Sequence, residues 1–374
     1  MSDRDIKNPA AEVPRNEPTV TAANSHDPQG MPTTFGPGEG PSPDHENRSG
    51  GIARQILANL GPKKLSAVYL LIFFLILFRI LAPGTFLTGT TIQLVLGEGV
   101  VTCLVALAFL IPLAAGSYDL SVGAMLGFAL SISIYISIHS GLPAIPGALI
   151  ALAACTLVGA VNGFIIIKMR VNSLITTLAM SQILLAAVLL ISDNEQLVGQ
   201  FAPKWSEIGN GKAILGIPND FLFLLAIAII LWFVLEHTPI GRYLLATGGN
   251  SEAARLSGVP VDRMIWGSMI VAGFLGGLAG VVYCMRTGVF NASTGPGYLF
   301  PAITAVFLGA SQLSQRPNIW GTLIAYFALA FGVQGIRLSA EAASVWINPA
   351  FQGVALIIAV AIASRNFSRR SYGV

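Results

Sequence analysis

Charged residues are scarce in this chain. They make up 10% of its 374 residues, whereas hydrophobic residues make up 54%. A water-soluble domain carries roughly 25% charged residues, so this deficit excludes an ordinary soluble protein and indicates an integral membrane protein embedded in a lipid bilayer. The formal net charge of +3 is too small to indicate a nucleic-acid partner, and we expect none.

Sequence motifs for nucleotide binding, metal binding and catalysis are also missing. The stretch 209–212 lacks the first glycine of a P-loop at the required spacing, and neither H-E-x-x-H nor G-x-S-x-G occurs. The three cysteines, Cys103, Cys155 and Cys284, lie in apolar segments, where cysteine serves as a small buried residue. We therefore expect no catalytic residues, no metal site and no cofactor.

The first 60 residues differ from the rest. Residues 1–50 are rich in Pro, Gly, Asn, Ser and Thr, and such a segment cannot bury enough apolar surface to offset the entropy of ordering it. It also lacks the continuous apolar stretch of a signal peptide. We interpret 1–60 as a disordered cytoplasmic tail, with or without a docking role. A transmembrane domain over 61–366 and a cytoplasmic tail over 367–374 follow.

Long apolar runs fill the chain after this tail. A helix needs about 20 apolar residues to cross the hydrocarbon of a bilayer, where backbone groups must be paired within the protein. Because the runs are continuous rather than alternating, they predict an all-α polytopic membrane protein. We predict ten transmembrane helices, near 65–82, 91–114, 119–138, 146–167, 173–192, 219–236, 263–285, 298–313, 319–336 and 349–364.

The basic residues indicate the orientation, because cytoplasmic loops carry an excess of Lys and Arg. With the N-terminus inside, the larger set is cytoplasmic and the smaller set is outside. The bias predicts cytoplasmic N- and C-termini, which requires an even number of helices. The cytoplasmic set is Arg54, Lys63, Lys64, Lys168, Arg170, Arg242, Arg255, Arg263, Arg316, Arg365, Arg369 and Arg370; the outer set is Arg79, Lys204, Lys212, Arg286 and Arg337.

One predicted cytoplasmic segment, 238–262, carries helix signals of its own. Asn250 or Ser251 can cap a short helix, and Gly258 can end it. The double glycine at 248–249 is expected to form a tight turn before the cap. A short capped helix with small residues on its face suits the close approach of another protein, although an ordinary interhelical loop is the alternative.

The stretch 241–258 resembles the cytoplasmic coupling segment of ABC sugar permeases of the ribose/xylose type, which are related to the branched-chain amino-acid permeases. The family pattern is roughly G-R-x-x-x-A-x-G-x-N-x-x-A-A-x-x-S-G-I/V. The resemblance implies that this segment fits a groove on an ATPase subunit. The residues to which it assigns this role are Gly241, Arg242, Ala246, Gly248, Asn250, Ala253, Ala254, Ser257 and Gly258. Gly249, the second glycine of the pair, is a further candidate for the coupling surface.

A second block, GSYDLSVGAMLG at 116–127, resembles the G-x-D-L-S-V-G block of the same family. Asp119 or Ser121 can cap the third predicted helix. A carboxylate at this depth is costly unless it is capped, paired or hydrated. A structural cap and a direct contact with the transported solute are both open.

A third block, VNSLITTLAM at 171–180, resembles the stretch that opens the fifth helix in the family. Asn172 can cap that helix. Thr176 and Thr177 either face the substrate pathway or hydrogen-bond back to their own helix.

Glu98 is a carboxylate inside the second predicted helix, between two glycines. Such residues are functional candidates by default. It either lines the pathway or pairs with a neighbouring helix, or it lies near the outer end and is solvated.

The resemblance covers 65–364 and implies a transport subunit rather than an enzyme. It implies an importer of a monosaccharide or similar small polar solute in the inner membrane, with a separate ABC ATPase, an extracytoplasmic solute-binding protein and an identical or different second permease subunit. The chain departs from the family pattern at 299–301 and at 334–335. An ion-driven secondary transporter that uses Glu98 or Asp119 is the alternative.

Overall fold

The computed structural model describes residues 66–140, 142–199, 201–211, 217–312, 316–339, 346–347 and 349–358. The predicted tails 1–60 and 367–374 lie outside these residues. The helices are α1 (Ser66–Leu81), α2 (Gly89–Ala114), α3 (Val122–His139), α4 (Ala144–Lys168), α5 (Ser173–Ser192), α6 (Pro203–Asn210), α7 (Asn219–His237), α8 (Pro239–Gly249), α9 (Ser251–Leu256), α10 (Val261–Thr287), α11 (Thr294–Gly297), α12 (Leu299–Gln312), α13 (Ile319–Ser339) and α14 (Pro349–Ile358).

Among the described helices, seven are long and apolar enough to cross a membrane, namely α2, α3, α4, α5, α7, α10 and α13. This confirms the all-α polytopic class. Each of the ten predicted segments overlaps a described helix, and residues 359–364 of the last segment lie outside the described residues. Because α1, α12 and the described part of α14 are shorter than a full span, the total of ten remains a prediction.

Helix α2 forms the centre of the bundle. Its most apolar stretch is 83% buried, whereas the corresponding stretches of α5 and α7 are 22% buried. Residues 100–111 of α2 are all buried, and α10, α12, α13, α7 and α3 pack around them. A helix that is apolar on every side must be covered on every side or face lipid. The central helix is therefore enclosed by protein, and the outer helices leave apolar faces exposed.

Glycines bring α10 into close contact with α3 and α4, since small residues at a helix interface let two backbones approach closely. A Cβ placed on Gly277 would lie 2.8 Å from the Cβ of Cys155, and one on Gly280 would lie 2.8 Å from the Cβ of Ala129. The three cysteines are buried with free thiols, which agrees with their interpretation as small core residues. The core around α10 therefore depends on side chains that take up little space.

Two short elements outside the bundle were not predicted. Strands β1 (Leu197–Val198) and β2 (Val289–Phe290) pair antiparallel, and α6 lies between α5 and α7 in the chain. Trp205 of α6 is buried against Phe201, with ring centroids 5.9 Å apart. Two-residue strands are too short to give an alternating pattern, which is why the sequence did not reveal them.

Candidate functional site

The segment between α7 and α10 consists of two successive helices. Thr238 occupies the N-cap of α8, where its hydroxyl accepts from the N–H of Gly241 at 3.4 Å, and Pro239 takes the first helical position. The side-chain oxygen of Asn250 accepts from the N–H of Ala253 at 3.0 Å and so caps α9. Gly258 follows α9 with φ +83°. The capping and ending roles predicted for Asn250 and Gly258 are confirmed.

The prediction of a tight turn at Gly248 and Gly249 was wrong, because both residues belong to the last turn of α8. Gly248 instead provides a close packing contact. A Cβ on Gly248 would collide with the carbonyl oxygen of Ala114 and would lie 2.9 Å from the nitrogen of Gly116. Helix α8 therefore rests directly on the backbone that connects α2 to α3.

The remaining family-matched positions of the segment are divided between packing and surface. Gly241 and Ala254 are buried. The exposed positions are Arg242, Ala246, Gly248, Gly249, Asn250, Ala253, Ser257 and Gly258. The segment therefore offers a surface rich in small residues.

Apolar side chains also project from this segment. Leu256 is 91% exposed, Ile240 58% and Tyr243 44%. Nearby, Arg255 donates to Asp262 at 2.6 Å in an exposed ion pair. This hydrogen bond, followed by the attraction of the opposite charges, raises the pKa of the Arg255 guanidinium. The surface thus combines apolar contacts with fixed charge.

Asp119 is fully buried in the connection between α2 and α3. Its Oδ1 accepts from both the N–H and the hydroxyl of Ser121, at 2.9 and 2.5 Å. Asn162 of α4 donates to the same hydroxyl at 2.9 Å. Neither side chain caps α3: Ser121 holds the N-cap position without a side-chain capping bond. The predicted helix cap is therefore corrected to a buried network that links the connection to α4.

The start of α5 is tied to the same connection. Asn172 caps α5 by accepting from the N–H of Leu174 at 2.9 Å, as predicted. Thr176 and Thr177 bond back to the carbonyls of Asn172 and Ser173 at 3.1 and 2.8 Å. Thr177 also accepts from the N–H of Leu120 at 3.1 Å. Both threonines are buried, and Thr177 also ties the start of α5 to the connection between α2 and α3. These bonds favour the prediction that the two hydroxyls bond back to their own helix.

Glu98 lies in a different region. Ala114 follows Glu98 by sixteen positions, which correspond to about 24 Å along a helix axis, so Glu98 is far from the Asp119 network. Glu98 is exposed and lines a cavity of about 620 Å³. Other polar residues on this wall include Thr102, Tyr283, Arg286, Tyr298 and Arg337. Exposure at a cavity wall fits both a residue that lines the pathway and a solvated residue near the outer end, so both alternatives for Glu98 stay open.

Arg286 is held at the cavity by two neighbouring helices. Its guanidinium forms an ion pair with Asp220 of α7, whose side chain is 1% exposed. It also lies against α2, where a Cβ on Gly97 would come 2.5 Å from its Nη1. The lack of a side chain at Gly97 therefore leaves space for the Arg286 guanidinium.

The sequence did not single out Asp220, Arg286, Arg337 or Asn162 as site residues. The first two lie in the first turn of α7 and the last turn of α10. Charged residues at helix ends are ordinarily solvated, so their position alone gave no signal. Opposite charges at the same predicted membrane surface could have suggested the pair. Within the described residues, no cluster of His, Cys, Asp or Glu suits a metal ion.

A protein-family model, described as the permease component of the branched-chain amino acid transport system, matches residues 91–360 of this chain. The chain belongs to this family of ABC-importer permeases. It is a multi-pass inner-membrane protein and a transport subunit, and a separate ATPase chain hydrolyses ATP. Family membership also implies ATPase and solute-binding partners, and it decides against the ion-driven alternative.

Relatives named for several solutes resemble this permease. The ribose import permease of Escherichia coli strain K12 is 32% identical, over 69% of this chain and 81% of the relative. The fructose import permease of Rhizobium meliloti is 30% identical, over 78% and 82%. The autoinducer 2 import system permease LsrD of Photorhabdus laumondii is 28% identical, over 69% and 78%. No solved structure matches the chain.

Proposed function

We propose that this permease imports a monosaccharide or a similar small polar solute, driven by ATPase subunits that dock on α8 and α9. The relatives named for ribose and fructose support the solute class. The observation that carries the docking proposal is the geometry of Gly248. It rests on the backbone at Ala114 and Gly116, while its neighbours on α8 and α9 are exposed. A movement of α8 caused by a docked subunit is therefore transmitted to the α2–α3 connection by direct backbone contact at Gly248.

The proposal extends to the rest of the assembly, for which family membership is the support. Two permease subunits, identical or different, form the transmembrane unit, and both termini are cytoplasmic. The solute-binding protein then docks at the end that carries Glu98 and α6. Basic residues at the α8–α9 end support this orientation, since Lys168 and Arg170 lie near Asp262 there.

Two exposed positions allow docking to be tested without disturbing the fold. Gly249 has no atom within 4 Å of an added Cβ, and Ala253 is exposed. We expect Gly249→Leu combined with Ala253→Leu to reduce the amount of ATPase that co-purifies with the tagged full chain in mild detergent by about tenfold or more, because bulky groups block a close-fitting surface.

The matched control is Gly84→Leu, at another exposed glycine with open space around it, outside the segment. It should leave both the permease yield and the ATPase recovery unchanged. Undiminished recovery of the ATPase with the double variant would place the dock elsewhere. Absence of ATPase from the unmodified protein, in a detergent that preserves a control ABC complex, would contradict the proposal itself.

A further inference from the structure

The cavity beside Glu98 has the dimensions of a small-molecule site. Its volume of about 620 Å³ lies within the ~300–1,000 Å³ typical of ligand pockets. Glu98, Thr287 and Arg337 on its wall are exposed, so the cavity opens to the surface. Charged side chains of membrane proteins face water or polar partners rather than lipid. The cavity is therefore a water-accessible chamber at one end of the bundle.

The charges around the chamber balance. Arg286 is paired with Asp220, so its charge is compensated within the protein. Glu98 and Arg337 add one negative and one positive charge. An anionic solute would meet the carboxylate of Glu98, and a cationic solute would meet the two guanidinium groups. The net charge of zero favours a solute without net charge, either uncharged or zwitterionic, and the uncharged lining residues decide between these two classes.

The uncharged groups of the wall suit a ring that carries hydroxyl groups. The ring centroids of Tyr283 and Tyr298 are 5.8 Å apart, and Tyr326 and Thr102 add two further hydroxyl-bearing side chains to the same wall. Tyrosine presents an apolar face together with a polar hydroxyl. A sugar hydroxyl can both donate to a carboxylate and accept from a guanidinium. Such a wall can bind both the C–H face and the hydroxyls of one small ring.

An amino acid with a branched side chain fits this chamber less well. Among the described residues that line it, Val101 is the one aliphatic side chain apart from Pro301 and Pro349. Burial of a branched side chain requires several such contacts. The lining therefore favours a hydroxylated solute over a branched apolar one.

We propose that this chamber, within a single permease subunit, is a solute-binding site for a neutral polyhydroxylated molecule. Glu98 accepts hydrogen bonds from its hydroxyls, and Arg337 donates to them. Arg286, anchored by Asp220 and accommodated by Gly97, supplies further donors. The proposal rests on the proposed import function, to which it adds the location of the site and the charge of the solute.

Protection of an introduced thiol tests the site in the full-length protein in right-side-out membrane vesicles. Thr287→Cys places a thiol on the chamber wall, and the native cysteines are buried. The probes are D-ribose and D-fructose as neutral polyols, D-gluconate as an anion and L-leucine as a zwitterion. We expect at least one neutral sugar to slow alkylation of this thiol by an impermeant maleimide, and the other two probes to leave it unchanged.

The same assay with Glu98→Gln gives the specific readout. The loss of a charged acceptor should raise the half-protecting sugar concentration about tenfold. Glu207→Gln, an exposed carboxylate on α6 outside the chamber, should leave it unchanged. Ser206→Cys, also on α6, should be alkylated at the same rate with and without sugar.

Three results would overturn the site: no protection by either sugar, equal protection by gluconate or leucine, or undiminished protection in Glu98→Gln. ATPase co-purification from the same membranes separates this failure from that of the import proposal. ATPase recovered without protection would reject the chamber alone, whereas loss of both would reject the import function.

Discussion

At the scale of single residues, Asp119 shows how a buried carboxylate is used without a cation. Its Oδ1 accepts two hydrogen bonds from Ser121, whereas its Oδ2 is buried and has no hydrogen-bond partner in the described part of the chain. The side-chain oxygen of Asn162 is likewise buried and has no hydrogen-bond partner among the described residues. A buried polar atom without a partner is costly. The part of Asp119 that stabilises the fold is therefore its acceptor atom rather than its charge.

This distinction predicts opposite behaviour for two substitutions. Asp119→Asn keeps an acceptor for Ser121 and removes the carboxylate charge from a buried position, where a charge is costly, so we expect the apparent Tm in detergent to be unchanged or higher. Asp119→Leu removes the acceptor and should destabilise the protein by about 1–3 kcal/mol. Thermal unfolding followed by tryptophan fluorescence measures both. An Asn variant as unstable as the Leu variant would show that the charge is required.

At the scale of elements, the contact of α8 with the α2–α3 connection depends on two glycines. Gly116 has φ +77°, and a Cβ on it would lie 3.1 Å from the Cα of Gly248. The atoms nearest to these two glycines across the crossing all belong to the backbone. Adjacent glycines of α8 therefore differ in what they tolerate, because Gly248 is against the connection and Gly249 is in open space.

Alanine substitutions at these two positions test the crossing. Gly248→Ala should destabilise the protein by about 1–3 kcal/mol, since overpacking forces the backbone to move. Gly249→Ala should be neutral or slightly stabilising, because Ala is the better helix residue. Apparent Tm values of the two purified variants, compared with the unmodified chain, provide the measurement. Similar Tm values for both variants would mean that the crossing is loose.

At the scale of the whole molecule, polar residues gather at two opposite ends of the bundle. One end holds the α8–α9 segment and the ion pair of Arg316 with Glu236, at 2.6 Å. The other end holds the chamber with Arg286 and Arg337. Long apolar helices lie between them. This division agrees with the two sets of basic residues that the sequence assigned to opposite membrane surfaces.

Labelling of single cysteines tests the proposed orientation. Lys204 of α6 and Ser257 after α9 are both exposed and belong to opposite ends. In intact cells an impermeant maleimide should label Lys204→Cys at once, but Ser257→Cys only after the membrane is permeabilised. The unmodified protein, whose cysteines are buried, serves as the background. Labelling in the reverse order would mean that the N-terminus is outside.

The sequence predicted the long helices well, because hydrophobic length is a local property that lipid imposes on each segment separately. It also predicted the caps at Asn172 and Asn250, which act within a few residues. It missed the ion pair of Asp220 with Arg286, whose members are 66 positions apart in the chain. It also missed the contact of Asn162 with Ser121, whose members are 41 positions apart. Partners at such separation are set by packing, which no short pattern encodes.

Two positions that depart from the family pattern line the chamber or a cavity that adjoins it. Pro301 borders the chamber, and Gln334 borders a smaller adjoining cavity that shares Glu98 with it. The sequence identified these positions as unusual but could not show that they meet. A difference in solute between this permease and its relatives is therefore expected to originate at this wall.

The ion pair of Asp220 with Arg286 has a mechanical meaning. Helix α7 runs from Asp220 to the start of the α8–α9 segment, and α10 runs from the end of that segment to Arg286. The α8–α9 segment connects α7 and α10 at one end, and the ion pair connects them at the other. The two helices are therefore joined at both ends. A tilt imposed on the two helices by the ATPase would be delivered, through Arg286, to the wall of the chamber beside Gly97.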